Sequence, residues 1–162
     1  MMRTVRLRAT VDFGPSAAYE RLAGFTDYPK YAEAVRSVEV SDLTESNCIS
    51  RWAFAFRGGL LRWTETDTFD RAAGRIDFDQ VEGDLEVFIG YWQVSPLDDG
   101  SEIIFSLLFD LGLPTLAEFL EPVAANATIE NMTNLLIGLF GPAAEIFTEI
   151  DEFVSDPTGA RR

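Results

Sequence analysis

Two carboxylates in the stretch Leu60–Phe69 are the residues of this chain whose types and spacing best fit acid–base chemistry. Glu65 and Asp67 stand two positions apart, so both side chains lie on one face if the stretch forms a β-strand. Burial raises the pKa of a carboxyl group, and a second carboxyl beside it raises one of the two pKa values further. Such a pair can accept a proton near neutral pH, which general acid–base catalysis requires.

The turn before this strand decides which way the pair points. A two-residue turn at Gly58–Gly59 is the favoured hairpin length, and it sets Phe54 opposite Trp63 and Trp52 opposite Glu65. The Trp63 face of the strand, which carries both carboxylates among aromatic residues, then points into the protein. We therefore predict that the two carboxylates are the catalytic candidates.

A longer turn gives the opposite arrangement. With three turn residues the face of the strand reverses, and Glu65 and Asp67 pair at the surface with Arg57 and Arg75. In the inward arrangement, by contrast, Gln80 of the following strand comes near Glu65. The sequence leaves both arrangements open.

The elements that must position these side chains are mostly strands. Alternation and turn signals predict a strand over Val5–Phe13, short helices over Ala17–Phe25 and onward to about Val35, and then only strands and turns as far as Asp110. The six strands of that section are Val38–Leu43, Cys48–Phe56, Leu60–Phe69, Arg75–Val81, Leu85–Val94 and Ser101–Asp110. This order predicts an α+β fold with a strongly curved, seven-stranded antiparallel sheet and helices on one of its faces.

A long helix is predicted after the strands. Thr115–Phe140 carries an apolar stripe at helical spacing, and Gly141-Pro142 ends it. The stripe consists of Leu116, Leu120, Val123, Ala127, Asn131, Leu135 and Gly138. Its polar member, Asn131, either donates a hydrogen bond to a ligand carbonyl, or is a satisfied core amide, or is exposed by a rotation of the helix. The segment Ala143–Val154 reads as one more short amphipathic helix, which could cover a cavity or contact a partner protein.

The inward faces of these elements are rich in aromatic residues. A sheet that curves around one helix leaves a large concavity, and polar side chains such as Gln80 are poor choices for a dry core. We therefore predict a cavity for a hydrophobic ligand, with a plain aromatic core as the alternative. The predicted ligand-binding residues are Tyr28, Trp52, Phe54, Trp63, Phe78, Gln80, Phe88, Trp92, Phe105, Asn131 and Leu135.

Composition limits the classes of function. The 162 residues predict one domain spanning 1–162, and their formal net charge of −14 disfavours nucleic acid and anionic membranes as partners. The chain has no histidine, which removes serine–histidine and cysteine–histidine catalysis and the commonest zinc ligand. We predict no metal and no cofactor.

The single cysteine, Cys48, and the lack of a signal-peptide pattern predict a cytoplasmic location, and no apolar run is long enough to span a membrane. The oligomeric state is open.

The order of these elements and several short strings resemble the START/Bet v 1-like superfamily of helix-grip proteins, also called SRPBCC, over almost the whole chain. Within it, the chain is most similar to the bacterial polyketide cyclase/dehydrase branch. The strings that carry the resemblance are Tyr28-Pro29, Arg62-Trp63-Thr64-Glu65, Gly90-Tyr91-Trp92, Phe109-Asp110 and Glu130-Asn131-Met132. The resemblance implies a deep cavity between the sheet and the long helix that holds a large hydrophobic molecule.

The family includes cyclases and aromatases, lipid and sterol carriers, and quinone-binding proteins, so the resemblance leaves two hypotheses. The chain is either a cyclase or dehydratase of a polyketide-like substrate, or a non-catalytic carrier of a lipid or quinone. Aromatic cyclases of this type tend to place arginines and a tyrosine in the cavity, whereas the matching positions here hold Asp67 and Gln80. An arginine-assisted mechanism is therefore not carried over. Tyr28 and Tyr31, expected near the cavity mouth, could still donate a proton.

Overall fold

A computed structural model describes residues 2–56, 58–112 and 117–150 of the chain, apart from the side chains of residues 117–121 and 150. It contains one antiparallel sheet of eight strands and, on the inward face of that sheet, a long helix. The strands are β1 (Arg3–Val11), β2 (Val35–Ser41), β3 (Asn47–Phe56), β4 (Gly59–Asp70), β5 (Arg75–Gly83), β6 (Val87–Leu97), β7 (Gly100–Asp110) and β8 (Glu145–Ile150). The predicted α+β helix-grip fold is confirmed, with one strand more than expected.

The strand order in the sheet is β2-β3-β4-β5-β6-β7-β1-β8. Strands β2 to β7 follow one another as hairpins, and β1 closes the sheet by pairing with β7 on one side and β8 on the other. On β1 and β7, and on β4 from Trp63 to Phe69, every second residue is buried, as the two-residue period of a strand requires. Those inward rows form the core together with the helices.

The helices are α1 (Pro15–Ala23), α2 (Tyr28–Tyr31) and α3 (Ala117–Phe140), and a short 3-10 turn (Phe25–Asp27) lies between the first two. Thr115 and Leu116, which the sequence places in the long helix, lie outside the described residues. Within the part of the chain that the structure describes, no helix is long and apolar enough to cross a membrane.

The predicted helix Ala143–Val154 is wrong where the structure describes it. Residues Glu145–Ile150 form the edge strand β8, which pairs with Val5–Thr10 of β1. Ile146 and Phe147 fit either period, but Ile146 faces the core whereas Phe147 is exposed, with the Arg8 guanidinium 4.5 Å above its ring. The unpaired edge of β1 decides between the two periods, because its backbone N–H and C=O groups gain partners from a strand and none from a helix.

The hairpin before β4 differs from the predicted one by two residues. Trp52 pairs with Trp63, and Phe56 pairs with Gly59, so Gly59 belongs to the strand rather than to the turn. Gly58 has a φ of 78°, the left-handed conformation that glycine adopts without strain. A shift of two residues keeps every side chain on its predicted face, because two is the period of the strand.

The apolar face of α3 is displaced by one residue from the predicted stripe. Its buried positions are Ala124, Ala125, Leu135, Leu136, Leu139 and Phe140, and Met132 packs against them. Val123 and Asn131 are only partly buried, and Gly138 is exposed. A side chain at Gly138 would meet the backbone of Tyr31, so this position is where α2 packs closely on α3.

Candidate functional site

A cavity lies between the inward face of the sheet and α3. Its volume is ≈ 90 Å³, and the atom-free space counted out to its open mouth is ≈ 860 Å³. The helix lines it with small or flexible side chains, namely those of Ala124, Ala127, Thr128 and Met132. Its aromatic lining consists of Phe25, Tyr28, Trp52, Phe54, Phe56, Trp63, Phe78, Phe88, Trp92, Phe105 and Phe109. In this conformation the cavity is small and its lining is mostly aromatic, which suits an aromatic, hydrophobic molecule.

Strand β4 places one carboxyl group in the wall of this cavity. Glu65 is 4% exposed and borders the cavity, whereas Asp67 is fully buried behind it. The Trp63 indole Nε1 donates a hydrogen bond to Glu65 Oε1 at 2.7 Å. The two carboxyl groups are adjacent members of the inward row of β4 and each changes the pKa of the other, so a proton on one can be shared with the other. The predicted inward face of the strand is thus the one that the structure shows.

Strand β3 supplies the partners of the inner carboxyl. Ser50 Oγ donates to Asp67 Oδ2 at 2.5 Å, and the Cys48 thiol lies 3.5 Å from the same oxygen. Ser50 in turn accepts a hydrogen bond of 2.8 Å from Trp52 Nε1. The cross-strand pairs Ser50–Glu65 and Cys48–Asp67 bring these groups together. Donors therefore converge on Asp67, the response expected to a charge held out of water.

The surroundings raise the pKa of both carboxyl groups. For Glu65 the largest cause is burial, followed by its hydrogen bond to Asp67 and the negative charge there, and its pKa lies well above the ordinary range. Burial also raises the pKa of Asp67, but hydrogen bonds from Glu65, Ser50 and Cys48 oppose that rise. Near neutral pH we therefore assign the shared proton to Glu65 and the charge to Asp67, so that the pair carries one proton and one negative charge.

Tyr28 lines the cavity but is not free to donate a proton. Its hydroxyl is buried and donates to the Leu22 carbonyl at 2.6 Å. Burial, with the carboxyl groups of Glu65 and Asp67 nearby, raises the pKa of Tyr28 well above its usual value. Tyr31 is 38% exposed on the outer side of α2 and does not line the cavity. Of the two tyrosines expected near the mouth, one lies within the aromatic wall.

Most of the predicted ligand-binding residues lie in the cavity wall, and three do not. Gln80 pairs with Glu65 across β4 and β5, as expected, but its amide donates to the Leu85 carbonyl at 2.8 Å and the side chain does not border the cavity. Asn131 faces a surface groove beside Glu130 and Asn134. Leu135 is fully buried in the core under the helix.

The sequence interpretation missed Ser50 and Cys48. Both stand at even positions of β3, on the same face as Trp52 and Phe54, so the alternation that identified the aromatic residues would have placed them next to the carboxyl pair. Thr128 and Met132 were missed because the helix stripe was assigned one residue away. The two-residue period of β3 and the helical period of α3 could therefore have identified these four residues.

Fold and cavity together define a helix-grip protein with an internal site for a hydrophobic ligand. The chain belongs to the family described as polyketide cyclase / dehydrase and lipid transport, whose model matches residues 11–136. No curated protein gives a significant match to the sequence.

Solved structures share the fold over most of the chain. TTHA0849 from Thermus thermophilus is 26% identical and superposes with a TM-score of 0.78, covering 84% of this chain and 93% of its own. The Zhui aromatase/cyclase from Streptomyces sp. R1128 is 20% identical, with a TM-score of 0.75 and coverages of 86% and 94%. A START superfamily protein from Mycobacterium smegmatis is 15% identical, with a TM-score of 0.73 and coverages of 85% and 97%.

Proposed function

We propose that this protein binds a flat, hydrophobic, polyketide-like molecule in the cavity, and that the Glu65–Asp67 pair moves protons on it during cyclisation or dehydration. One observation carries the proposal: Glu65, with Asp67 buried directly behind it, borders a cavity whose other walls are almost entirely aromatic or aliphatic. Burying ionisable groups in such a wall lowers stability, and groups with strongly shifted pKa values are common in sites of acid–base catalysis.

The pair can take up a proton and return it. In an aldol closure, a carbon next to a ketone loses its proton to the unprotonated oxygen of Glu65, while the proton already on Glu65 passes to Asp67, and the substrate becomes an enolate. That carbon forms a bond to a second carbonyl carbon of the same molecule, and the resulting alkoxide takes the proton back. The bonds broken and formed balance without a cofactor, and a later loss of water completes a dehydration.

The two carboxyl groups have different roles in this scheme. Glu65 borders the cavity and is the catalytic residue, because it alone of the pair can touch the substrate. Asp67 is a positioning residue: its charge, held by Ser50 and Cys48, keeps the proton on Glu65. Loss of Asp67 should therefore change the pH profile of the reaction, whereas loss of Glu65 should remove the reaction itself.

The first experiment tests the cavity. Native mass spectrometry of the freshly purified protein, beside its denatured mass, would reveal a co-purifying molecule, and an apolar adduct of roughly 300–900 Da would support a ligand of this class. An empty cavity is tested instead with a flat polycyclic dye whose emission reports polarity. Failure of both the adduct and the dye would contradict the proposed binding function.

The second experiment tests catalysis. The probe is an aryl triketone whose terminal methyl carbon can close onto the aryl ketone, and formation of the aryl resorcinol is followed by absorbance. Glu65→Gln keeps the shape of the side chain but has no proton to exchange, so we expect at least a tenfold loss of rate with binding retained. Glu82→Gln, an exposed residue of β5, is the matched control and should leave the rate unchanged.

A non-catalytic carrier is the second candidate, and a specific observation favours it. Glu65 and Tyr28, the two acidic groups in the wall, both already hold hydrogen bonds within the protein. A purely structural use of these groups predicts that Glu65→Gln and the parent protein bind the triketone equally and that neither speeds its closure.

A further inference from the structure

The hydrogen bonds around the cavity show which kind of polar group a ligand must offer. Asp67 uses Oδ2 to accept from Ser50 and Cys48. Asp67 Oδ1 is buried and receives no hydrogen bond from any N–H, hydroxyl or thiol in the described part of the chain. The neighbouring Glu65 carboxyl can satisfy it by donating its proton, and this donation uses the single O–H that a carboxylic acid possesses.

What Glu65 then offers to the cavity is acceptor capacity alone. Its Oε1 accepts from Trp63 and has a second lone pair, and the protonated oxygen also keeps acceptor capacity. A ligand atom that meets this carboxyl must therefore be a hydrogen-bond donor. A ketone oxygen in the same place would face lone pairs and would lose its own hydrogen bonds to water.

The other polar groups of the cavity wall give an anionic ligand few hydrogen-bond donors and no positive charge. Thr128 Oγ1 donates to the Ala124 carbonyl at 2.8 Å, and Tyr28 donates to the Leu22 carbonyl. The Trp52 indole N–H donates to Ser50 and the Trp63 indole N–H donates to Glu65, so both already have acceptors within the protein. No lysine or arginine is among the described lining residues.

We propose that the cavity selects a neutral, flat ligand that donates a hydrogen bond to Glu65 through a phenolic or enolic hydroxyl, and that it rejects carboxylates of the same shape. The inference rests on the proposed function only in taking this cavity as the ligand site. It adds the polarity of the ligand, because an enol or phenol on an aromatic ring is a neutral donor that also packs well against an aromatic lining.

Three naphthalene compounds of nearly equal shape test the inference by calorimetric titration of the intact protein. β-Naphthol carries the donor, its methyl ether lacks it, and β-naphthoate replaces it by an anion. One net hydrogen bond is worth about 1 kcal/mol, so we expect β-naphthol to bind roughly five- to tenfold more tightly than the methyl ether. Naphthoate should bind more weakly than either compound, because it would place a second negative charge beside Asp67.

Two variants assign the preference to Glu65. In Glu65→Gln the amide NH₂ can donate to Asp67 while its carbonyl still accepts, so the preference for naphthol should persist. In Glu65→Leu the acceptors are gone, and naphthol and the ether should bind equally. If Glu65→Leu does not fold, the affinities of the parent protein and Glu65→Gln for the three compounds still test whether the cavity prefers a neutral donor.

Equal binding of naphthol and its ether by the parent protein would overturn the inference, and so would tighter binding of naphthoate. Either result leaves the proposed function standing if naphthalenes bind and Glu65→Gln slows closure of the triketone. A protein that binds none of the three compounds, and fails with the dye as well, would contradict both the inference and the proposed binding function.

Discussion

Strands β4 and β7 have the same burial pattern and opposite chemistry. Along β7 the inward row is Ser101, Ile103, Phe105, Leu107 and Phe109, and each of these side chains is at most 4% exposed. Along β4 the inward row includes Trp63, Glu65, Asp67 and Phe69, which are buried to nearly the same extent. Two successive inward positions of β4 thus hold carboxyl groups, whereas the inward row of β7 consists mostly of large apolar side chains.

We infer from this difference that the fold depends mainly on β7 and that the proposed function depends mainly on β4. Apolar burial on β7 contributes roughly 1.5–3 kcal/mol per large side chain. A buried carboxyl pair on β4 at best compensates its own desolvation, because its hydrogen bonds replace equally good ones to water. We therefore expect substitutions on β7 to act on stability, and substitutions on β4 to act on ligand chemistry and pH dependence.

The largest effect is expected on β7. Ile103 is 1% exposed, pairs with Ala9 and Val94 on its two sides, and does not line the cavity. Ile103→Ala should lower the free energy of unfolding by about 3 kcal/mol, through lost burial and the cavity left behind. Urea unfolding followed by tryptophan fluorescence would measure the loss.

Ile104 is the matched control for Ile103, because it is the next residue of the same strand and its side chain lies on the other face, only partly buried. Ile104→Ala should cost clearly less than Ile103→Ala. Equal losses at the two positions would show that the inward row of β7 is not the part of the sheet that stabilises the fold.

A smaller loss is expected from the polar network behind the cavity. Ser50→Ala removes the hydroxyl that donates to Asp67 and accepts from Trp52, so a buried carboxylate and a partly buried indole N–H each lose a partner. We expect a cost of roughly 1–3 kcal/mol and a change in tryptophan emission. Ser37→Ala, at an exposed position of β2, should change neither quantity, and a null result at Ser50 would mean that water replaces the hydroxyl.

Parity explains why much of this site was predictable from the sequence. The register between β3 and β4 was wrong by two residues, yet the inward placement of Trp63, Glu65 and Asp67 was right, since an even shift leaves every side chain on its face. The fold class was equally accessible, because strand alternation and one long helical pattern suffice to define it.

Other features depend on tertiary contacts that a single sequence does not contain. Glu145–Ile150 is compatible with both helix and strand, and the free edge of β1 decides. The rotation of α3 about its axis is similarly hard to predict. Its buried face includes Ala124 and Ala125, and alanine occurs on buried and exposed helix faces alike, so these residues do not identify the face. The internal bonds that occupy Gln80 and Tyr28 could not be derived from residue types alone.

The effect most specific to β4 is a dependence of stability on pH. The pKa of Glu65 is raised in the folded protein, whereas the unfolded chain releases this proton near the ordinary value of 4.5. Between those two pKa values the folded state holds more protons, so its stability falls as the pH rises, by at most about 1.4 kcal/mol per pH unit. The contribution is fully present below the unfolded pKa and is lost as the pH passes through the folded one.

Glu65→Gln isolates this contribution, because the amide has no proton to lose while the remaining charges of the chain are unchanged. We expect the difference in unfolding free energy, variant minus parent, to increase from about pH 5 to about pH 7 in urea titrations. Glu82→Gln, exposed on β5, should give a difference that stays constant over the same range. If the unfolding free energies of the parent and Glu65→Gln vary with pH in parallel, Glu65 has the same pKa in the folded and unfolded states. The two strands would then differ in side-chain packing and not in pH dependence.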